Sequence, residues 1–183
     1  MIRTALAIGF AFAATAATAD EGAAWAALKG GGAAALMRHA TAPGVGDPSN
    51  FALDDCSTQR NLSEAGRAEA RAIGERFRAQ GVAVAEVRTS QWCRARDTAA
   101  EMKVGAIVED PRLNSFFEDK DPAANRDVSR AAVREALQGG ATVVLVTHQV
   151  NVTAATGVYP ASGEIVVVKA EGDVLRVVGR IAP

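Results

Sequence analysis

The sequence predicts an α/β domain, a three-layer α/β/α sandwich built on a mostly parallel mixed sheet. Short apolar runs typical of strands alternate with segments whose apolar residues recur at helical spacing. The run at residues 142–147 is almost continuously apolar, as expected for a central parallel strand. The strands expected at 164–169 and 174–181 are joined by Glu-Gly-Asp, which predicts a hairpin and therefore an antiparallel edge.

The first elements are a short helix around residues 22–28 and a strand over 33–37. Three glycines separate them, and we interpret these as a turn because no Gly-Lys-Ser/Thr phosphate loop follows. A polar loop then leads through residues 43–59. Ser63 is the expected N-cap of a helix that extends to about Gln80, since alanine, isoleucine and phenylalanine recur there at helical spacing.

The second half of the sheet is predicted from shorter signals. Residues 82–90 alternate as a strand, 94–103 favour a helix, and 106–109 form a short strand closed by Asp-Pro. Residues 112–126 predict a long loop, and loops of that length are often functional. A helix over 129–137 precedes the central apolar strand.

The N-terminus predicts a cleaved signal peptide over residues 1–19, followed by one domain over 20–183. Arg3 precedes an apolar run at 5–14, and Ala-Thr-Ala closes the segment. The apolar run is too short to span a membrane, so we expect a periplasmic or secreted protein without a membrane span. The formal net charge of −1 lacks the basic excess that nucleic-acid binding requires, so the expected partner is a small molecule or a local site on something larger.

Three predicted strand endings carry polar side chains that suit phosphoryl chemistry. The only two histidines, His39 and His148, each follow a strand, and residues 90–94 follow another. Ligands of open α/β sheets bind at the carboxyl ends of the strands, so these side chains are expected to share a pocket. Arg38 next to His39 favours phosphoryl chemistry in this pocket, because a guanidinium binds phosphoryl oxygens and a neutral imidazole can attack phosphorus.

Four segments together resemble the histidine phosphatase superfamily. Residues 36–40 (Leu-Met-Arg-His-Ala) are similar to its Arg-His-Gly signature, with alanine in the glycine position. Residues 62–66 (Leu-Ser-Glu-Ala-Gly) are similar to its Leu-Thr/Ser-x-x-Gly helix start, and 90–98 to its Ser-x-x-x-Arg-Ala-x-x-Thr segment. Residues 144–148 are similar to the strand that carries its second histidine.

The resemblance implies a phosphoglycerate mutase-like fold and a set of site residues. His39 would attack phosphorus to form a phosphohistidine, while Arg38, Arg94 and His148 would bind the phosphoryl oxygens, and water would then hydrolyse the intermediate. Arg96 competes with Arg94 for the second arginine role, and the spacing from Ser90 favours Arg94. We expect no cofactor and no metal, because the two cysteines and two distant histidines lack ligand spacing.

The sequence departs from the family at the proton donor. Mutase-type members carry Leu-Asn-Glu after the third strand, and here serine follows Leu113 and Asn114. Glu118 or Asp119 is the candidate substitute. The preceding phenylalanines 116–117 would desolvate such a carboxyl and keep it protonated; the alternative is a solvated acidic loop with both phenylalanines in the core.

The acid phosphatases of the superfamily place an aspartate after the second histidine, and Gln149 occupies that position here. We therefore disfavour that variant of the mechanism.

Cys56 and Cys93 are expected to form a disulfide, because disulfides persist outside the cytoplasm. The alternative is a pair of buried thiols. A bridge would also stiffen Arg94, the residue next to Cys93.

The functional prediction is a metal-independent phosphatase that hydrolyses phosphate monoesters, or related phosphoryl compounds, through a phosphohistidine. Candidate substrates are a small phosphate ester or an envelope phosphosugar. Two alternatives stay open: a phosphomutase, and a non-catalytic anion-binding domain on the same fold. The sequence leaves the oligomeric state without a prediction.

Overall fold

The structure, a computed structural model, describes residues 21–118 and 122–183. The predicted signal peptide and Asp119 lie outside the described residues. The helices are α1 (Glu21–Gly30), α2 (Glu64–Ala79), α3 (Cys93–Met102), α4 (Pro122–Leu137) and α5 (Gln149–Thr156). The strands are β1 (Ala34–Arg38), β2 (Val84–Thr89), β3 (Ile107–Glu109), β4 (Thr142–Thr147), β5 (Ile165–Glu171) and β6 (Val174–Ile181).

The strands form one sheet in the order β3-β2-β4-β1-β5-β6. The pairs between β3, β2, β4 and β1 are parallel, whereas β5 runs antiparallel to both β1 and β6. This confirms the predicted mixed sheet with an antiparallel edge. Because β4 lies between β1 and β2, the three strand ends that carry the candidate side chains are neighbours.

The two faces of the sheet are covered by different helices. On one face, α1, α2 and α3 supply a core that includes Leu28, Phe77 and Met102. On the other face, α4 and α5 bury Val133 and Val152 against alternate residues of the same strands. The three-layer α/β/α prediction is therefore confirmed.

The start of α2 is packed directly against the loop that follows β1. The Ser63 hydroxyl caps the helix by accepting a hydrogen bond from the Gly66 backbone N–H at 3.0 Å. A Cβ added at Gly66 would lie 2.1 Å from the carbonyl oxygen of Thr41, so only glycine fits there. Glycine at this position thus lets the helix approach the chain two residues beyond His39.

Two elements differ from the sequence prediction. Helix α4 begins at Pro122, well before the predicted residue 129, because proline is well suited to the first turn of a helix. Helix α5 was not predicted, since residues 149–156 are rich in β-branched and polar side chains with little helical periodicity. Its buried Val152 and Ala155 indicate that tertiary packing stabilises it. Among the described helices, none is long and apolar enough to cross a membrane.

Candidate active site

A cavity of about 570 Å³ opens at the carboxyl ends of β1, β2 and β4. The side chains that line it include all five predicted catalytic or binding residues, namely Arg38, His39, Arg94, Glu118 and His148. The rings of His39 and His148 meet edge to face with their centroids 5.4 Å apart. The structure thus brings together residues that lie more than 100 positions apart in the sequence.

His39 is arranged as a neutral nucleophile. Its ring is 2 % exposed, and Nδ1 lies 2.8 Å from the carbonyl oxygen of Ala40. A carbonyl only accepts, so Nδ1 carries the proton and Nε2 keeps its lone pair. Burial is the main cause that lowers the pKa of His39 to about 3. The hydrogen bond to Ala40 opposes this shift in part, and the charges of nearby arginines add to it. The imidazole is therefore uncharged at neutral pH and able to attack phosphorus.

Three guanidinium groups surround the two histidines. Arg38 donates through Nη1 to the carbonyl oxygen of Pro160 at 3.1 Å. Arg60, which the sequence analysis missed, lines the same cavity and donates to the carbonyl oxygens of Gly46 and Ala42. The only sequence signal for Arg60 is its place just before the recognisable start of α2. With Arg94, these side chains concentrate positive charge where a phosphoryl group would bind.

Asp47 holds Arg94 in place, and the sequence analysis missed it as well. The Arg94 guanidinium donates to Oδ1 at 2.7 Å and to Oδ2 at 3.1 Å, and the Trp92 indole donates to Oδ2 at 3.0 Å. Burial alone would raise the pKa of Asp47, but these contacts and the backbone N–H of Arg60 hold it below its usual value. Asp47 is thus a fixed anion and is unsuited to donate a proton.

Arg96, the competing candidate, lies outside the cavity lining. Its guanidinium pairs with Glu109 at 3.3 Å on the surface. Of the two arginines, only Arg94 faces the histidines, in agreement with the sequence-based preference.

His148 is fixed by a hydrogen bond to Ser90. The Nε2 atom lies 2.8 Å from Ser90 Oγ, which also contacts Asn114 Oδ1 at 3.2 Å. The ring is buried, and burial is the largest cause that lowers its pKa well below the usual value; the proximity of His39 and of the arginines adds to the shift. Ser90 Oγ has one proton. If Ser90 donates it to Nε2, the proton of the neutral ring sits on Nδ1; if Ser90 donates it to Asn114 Oδ1, the ring donates to Ser90 from Nε2. Nδ1 is buried with no hydrogen-bond partner among the described residues.

Glu118 and the preceding phenylalanines are at the mouth of the cavity. Phe116, Phe117 and Glu118 all line it. Phe117 is 59 % exposed, so the alternative that placed both phenylalanines in the core is wrong for this residue. Glu118 is exposed as well, so the phenylalanines do not enclose its carboxyl group.

The disulfide between Cys56 and Cys93 is formed, which confirms the prediction. Gln59, next to this bridge, accepts from the Cys93 backbone N–H at 2.9 Å. These contacts join the loop that carries Asp47 and Arg60 to the first turn of α3, where Arg94 lies. Across residues 21–118 and 122–183, no three His, Cys, Asp or Glu side chains are grouped closely enough to hold a metal ion.

Residues 34–117 match the family model of the histidine phosphatase superfamily (branch 1). This confirms the resemblance stated from the motifs. A comparison with curated proteins finds no match.

Solved structures share the fold. SixA from Agrobacterium tumefaciens is 20 % identical, with a TM-score of 0.59 over 82 % of this chain and 97 % of that one. A protein histidine phosphatase SixA complexed with tungstate is 19 % identical, with a TM-score of 0.56 over 82 % and 96 %. Mycobacterial glucosyl-3-phosphoglycerate phosphatase in complex with VO3 is 18 % identical, with a TM-score of 0.58 over 79 % and 96 %.

Proposed function

We propose that this chain, whose residues 34–117 match the family model of the histidine phosphatase superfamily, hydrolyses phosphate monoesters or related phosphoryl compounds through a phosphohistidine on His39. The proposal joins the family match to the chemistry of the cavity. It assigns His39 as the nucleophile, with Arg38, Arg94 and His148 as the groups that bind the phosphoryl oxygens.

One observation carries the proposal. Six buried side-chain nitrogen or oxygen atoms have no hydrogen-bond partner in the described part of the chain, and three of them are Arg38 Nε, Arg94 Nε and His148 Nδ1. The two guanidinium nitrogens are donors, and His148 Nδ1 is a third donor when Ser90 donates to Nε2. Unsatisfied buried donors are costly, and their concentration in one site indicates a ligand that accepts hydrogen bonds. A phosphoryl group offers several anionic oxygens to such donors.

The reaction follows from the state of His39. Its Nε2 lone pair attacks phosphorus, a P–N bond forms, and the P–O bond to the leaving group breaks with its electron pair on the leaving oxygen. Water then attacks the phosphohistidine, and the P–N electron pair returns to His39. Arginines and a neutral imidazole N–H stabilise the charge on the equatorial oxygens in both steps.

Glu118 is the proposed proton donor to the leaving oxygen. Among the described residues, the acidic side chains that line the cavity are Asp47, which is a fixed anion, and Glu118. A poor leaving group needs a proton in the transition state and a good one does not. Glu118→Gln is therefore expected to slow hydrolysis of an alkyl phosphate far more than hydrolysis of nitrophenyl phosphate. Equal small effects on both would remove Glu118 from the mechanism, and Asp119→Asn tests the remaining candidate.

The central test measures acid-labile phosphate on the protein together with phosphate release, with a chelator present. The parent should form a phosphoenzyme and turn over, and His39→Ala should abolish both. Arg94→Ala should lower kcat/KM by about 100-fold or more, since it removes a donor to the transition state. Arg96→Ala, two residues along the same helix and outside the cavity, is the matched control and should leave kcat/KM unchanged.

Each failure has a distinct meaning. Tight phosphate binding without turnover would indicate the non-catalytic anion-binding alternative, and phosphoryl transfer to a second substrate would indicate a mutase. Full loss of activity on chelation, restored by a divalent ion, would contradict a metal-independent mechanism.

We also propose that the protein works in an oxidising compartment, as a periplasmic or secreted domain over residues 20–183. The Cys56–Cys93 bridge supports this, because structural disulfides are rare in the reducing cytosol. Mass determination of the protein isolated from the periplasm would test both cleavage near Ala19 and oxidation of the two cysteines.

A further inference from the structure

A continuous row of rings leads from the nucleophile to the mouth of the cavity. His39 packs edge to face on His148, His148 packs edge to face on Trp92 at 5.4 Å, and Trp92 stacks on Phe51 at 5.0 Å with an angle of 22° between the rings. The Trp92 indole N–H is satisfied by Asp47, so the rest of the ring offers only apolar surface. The wall beside the phosphoryl site is therefore aromatic.

The mouth of the cavity carries exposed apolar side chains. Seven large hydrophobic residues of the described structure are exposed, and three of them line this cavity: Val45 at 88 %, Phe117 at 59 % and Tyr159 at 69 %. These three come from separate loops, after β1, after β3 and after α5. Exposed apolar surface gathered at one cavity indicates a binding surface, whereas single exposed residues need no explanation.

The charges of the cavity do not favour a second anionic group on the substrate. The cationic side chains that line it in the described residues are Arg38, Arg60 and Arg94, and all three surround the histidines. An anionic leaving group at the mouth would therefore meet apolar and aromatic side chains instead of a cation.

We propose that the substrate is a phosphate monoester whose alcohol carries an uncharged aromatic group. The phosphoryl group would occupy the arginine and histidine cluster, and the aromatic group would lie against Trp92 and between Phe117 and Tyr159. This inference rests on the proposed phosphatase function, and it names the substrate class of the same site. Ring-on-ring contact and burial of apolar area supply the selectivity.

The test compares alkyl phosphates whose leaving alcohols have similar acidity, so that leaving-group chemistry does not decide the result. The probes are 2-phenylethyl phosphate, butyl phosphate, glucose 6-phosphate and 3-phosphoglycerate. We expect kcat/KM for 2-phenylethyl phosphate to exceed that for butyl phosphate by about three- to tenfold, the range that aromatic pairing supplies. We expect 3-phosphoglycerate to be the poorest substrate.

Variants at the mouth separate apolar recognition from general damage. Phe117→Ser and Tyr159→Ser should each remove most of the preference for 2-phenylethyl phosphate over butyl phosphate, because each substitution removes a ring that the aromatic group would contact. Val174→Ser, at an equally exposed apolar position on β6, is the matched control and should keep the full preference.

The outcomes distinguish this inference from the proposed function. Turnover of all four phosphates at similar kcat/KM, or preference for glucose 6-phosphate or 3-phosphoglycerate, would overturn the aromatic-substrate inference and leave the phosphatase standing. Absence of both phosphoenzyme and phosphate release with every probe, nitrophenyl phosphate included, would overturn the proposed function itself.

Discussion

Removal of the Cys56–Cys93 disulfide should lower the free energy of unfolding by about 4 kcal/mol. The two cysteines are 37 positions apart, and closing a loop of that length removes about 13 cal/mol/K of entropy from the unfolded chain, or about 4 kcal/mol at 25 °C. That loss is a large part of the roughly 5–15 kcal/mol that stabilises a typical domain.

The assay is urea unfolding of the parent and of the Cys56→Ala/Cys93→Ala double variant, followed by tryptophan fluorescence. Trp25 is buried in the core and reports global unfolding. With a slope of about 2 kcal/mol/M, the midpoint should fall by about 2 M urea. The matched control is the parent with a reductant, which should unfold near the double variant; the double variant itself should not respond to the reductant.

The same experiment can refute the reasoning. If the double variant unfolds within about 1 kcal/mol of the oxidised parent, the loop between the cysteines is already ordered in the unfolded chain, or the bridge strains the native state. If stability falls as expected but KM is unchanged, the bridge stabilises the domain without helping to position Arg94.

Three further predictions concern the cavity. Burial lowers the pKa of His39 to about 3 and that of His148 well below the usual 6.5. Below pH 6.5 the unfolded chain therefore takes up protons that the folded protein does not. The free energy of unfolding should fall by about 1 kcal/mol per histidine for each pH unit below 6.5. Urea unfolding at pH 7.0 and 5.5 measures this, and His39→Asn should reduce the slope. Asp47→Asn leaves the buried guanidinium of Arg94 without its counter-charge, so this substitution should lower the free energy of unfolding by about 3 kcal/mol. Inorganic phosphate should raise the Tm of this variant more than that of the parent. Gly66→Ala should cost at least about 2 kcal/mol and lower kcat, because its methyl group would displace the Thr41 carbonyl next to the nucleophile loop; unchanged stability in chemical unfolding would contradict this close packing.

The parts of the fold that local patterns specify were predictable. Strand β4 at Thr142–Thr147 and strand β6 at Val174–Ile181 have the predicted bounds, because apolar runs flanked by turn residues mark them clearly. The Ser63 cap of α2 was predicted from residue type alone and is present. Helix α5 was not predictable, because it is stabilised by burial against neighbouring elements and not by an apolar periodicity of its own.

The residues of the candidate site that belong to sequence motifs were predictable, and those that belong to a long loop were not. Arg38, His39 and His148 directly follow or end strands, so the sheet places them in one cavity. Asp47 and Arg60 belong to a long loop whose path depends on the disulfide and on contacts with α3, 34 to 47 positions away. No local pattern encodes such contacts, so residue type alone did not distinguish these two side chains from other charged loop residues.

The position of β4 in the middle of the sheet has a consequence for the order of folding. His39 follows β1 and Arg94 follows β2. Within the sheet these two strands do not pair with each other, and each pairs with β4 at residues 142–147, which leads directly to His148. Contacts so distant in sequence close late, because the loop-closure entropy must first be overcome. A partly synthesised or partly folded chain therefore has no phosphoryl site, and affinity for phosphate should serve as a reporter of complete folding.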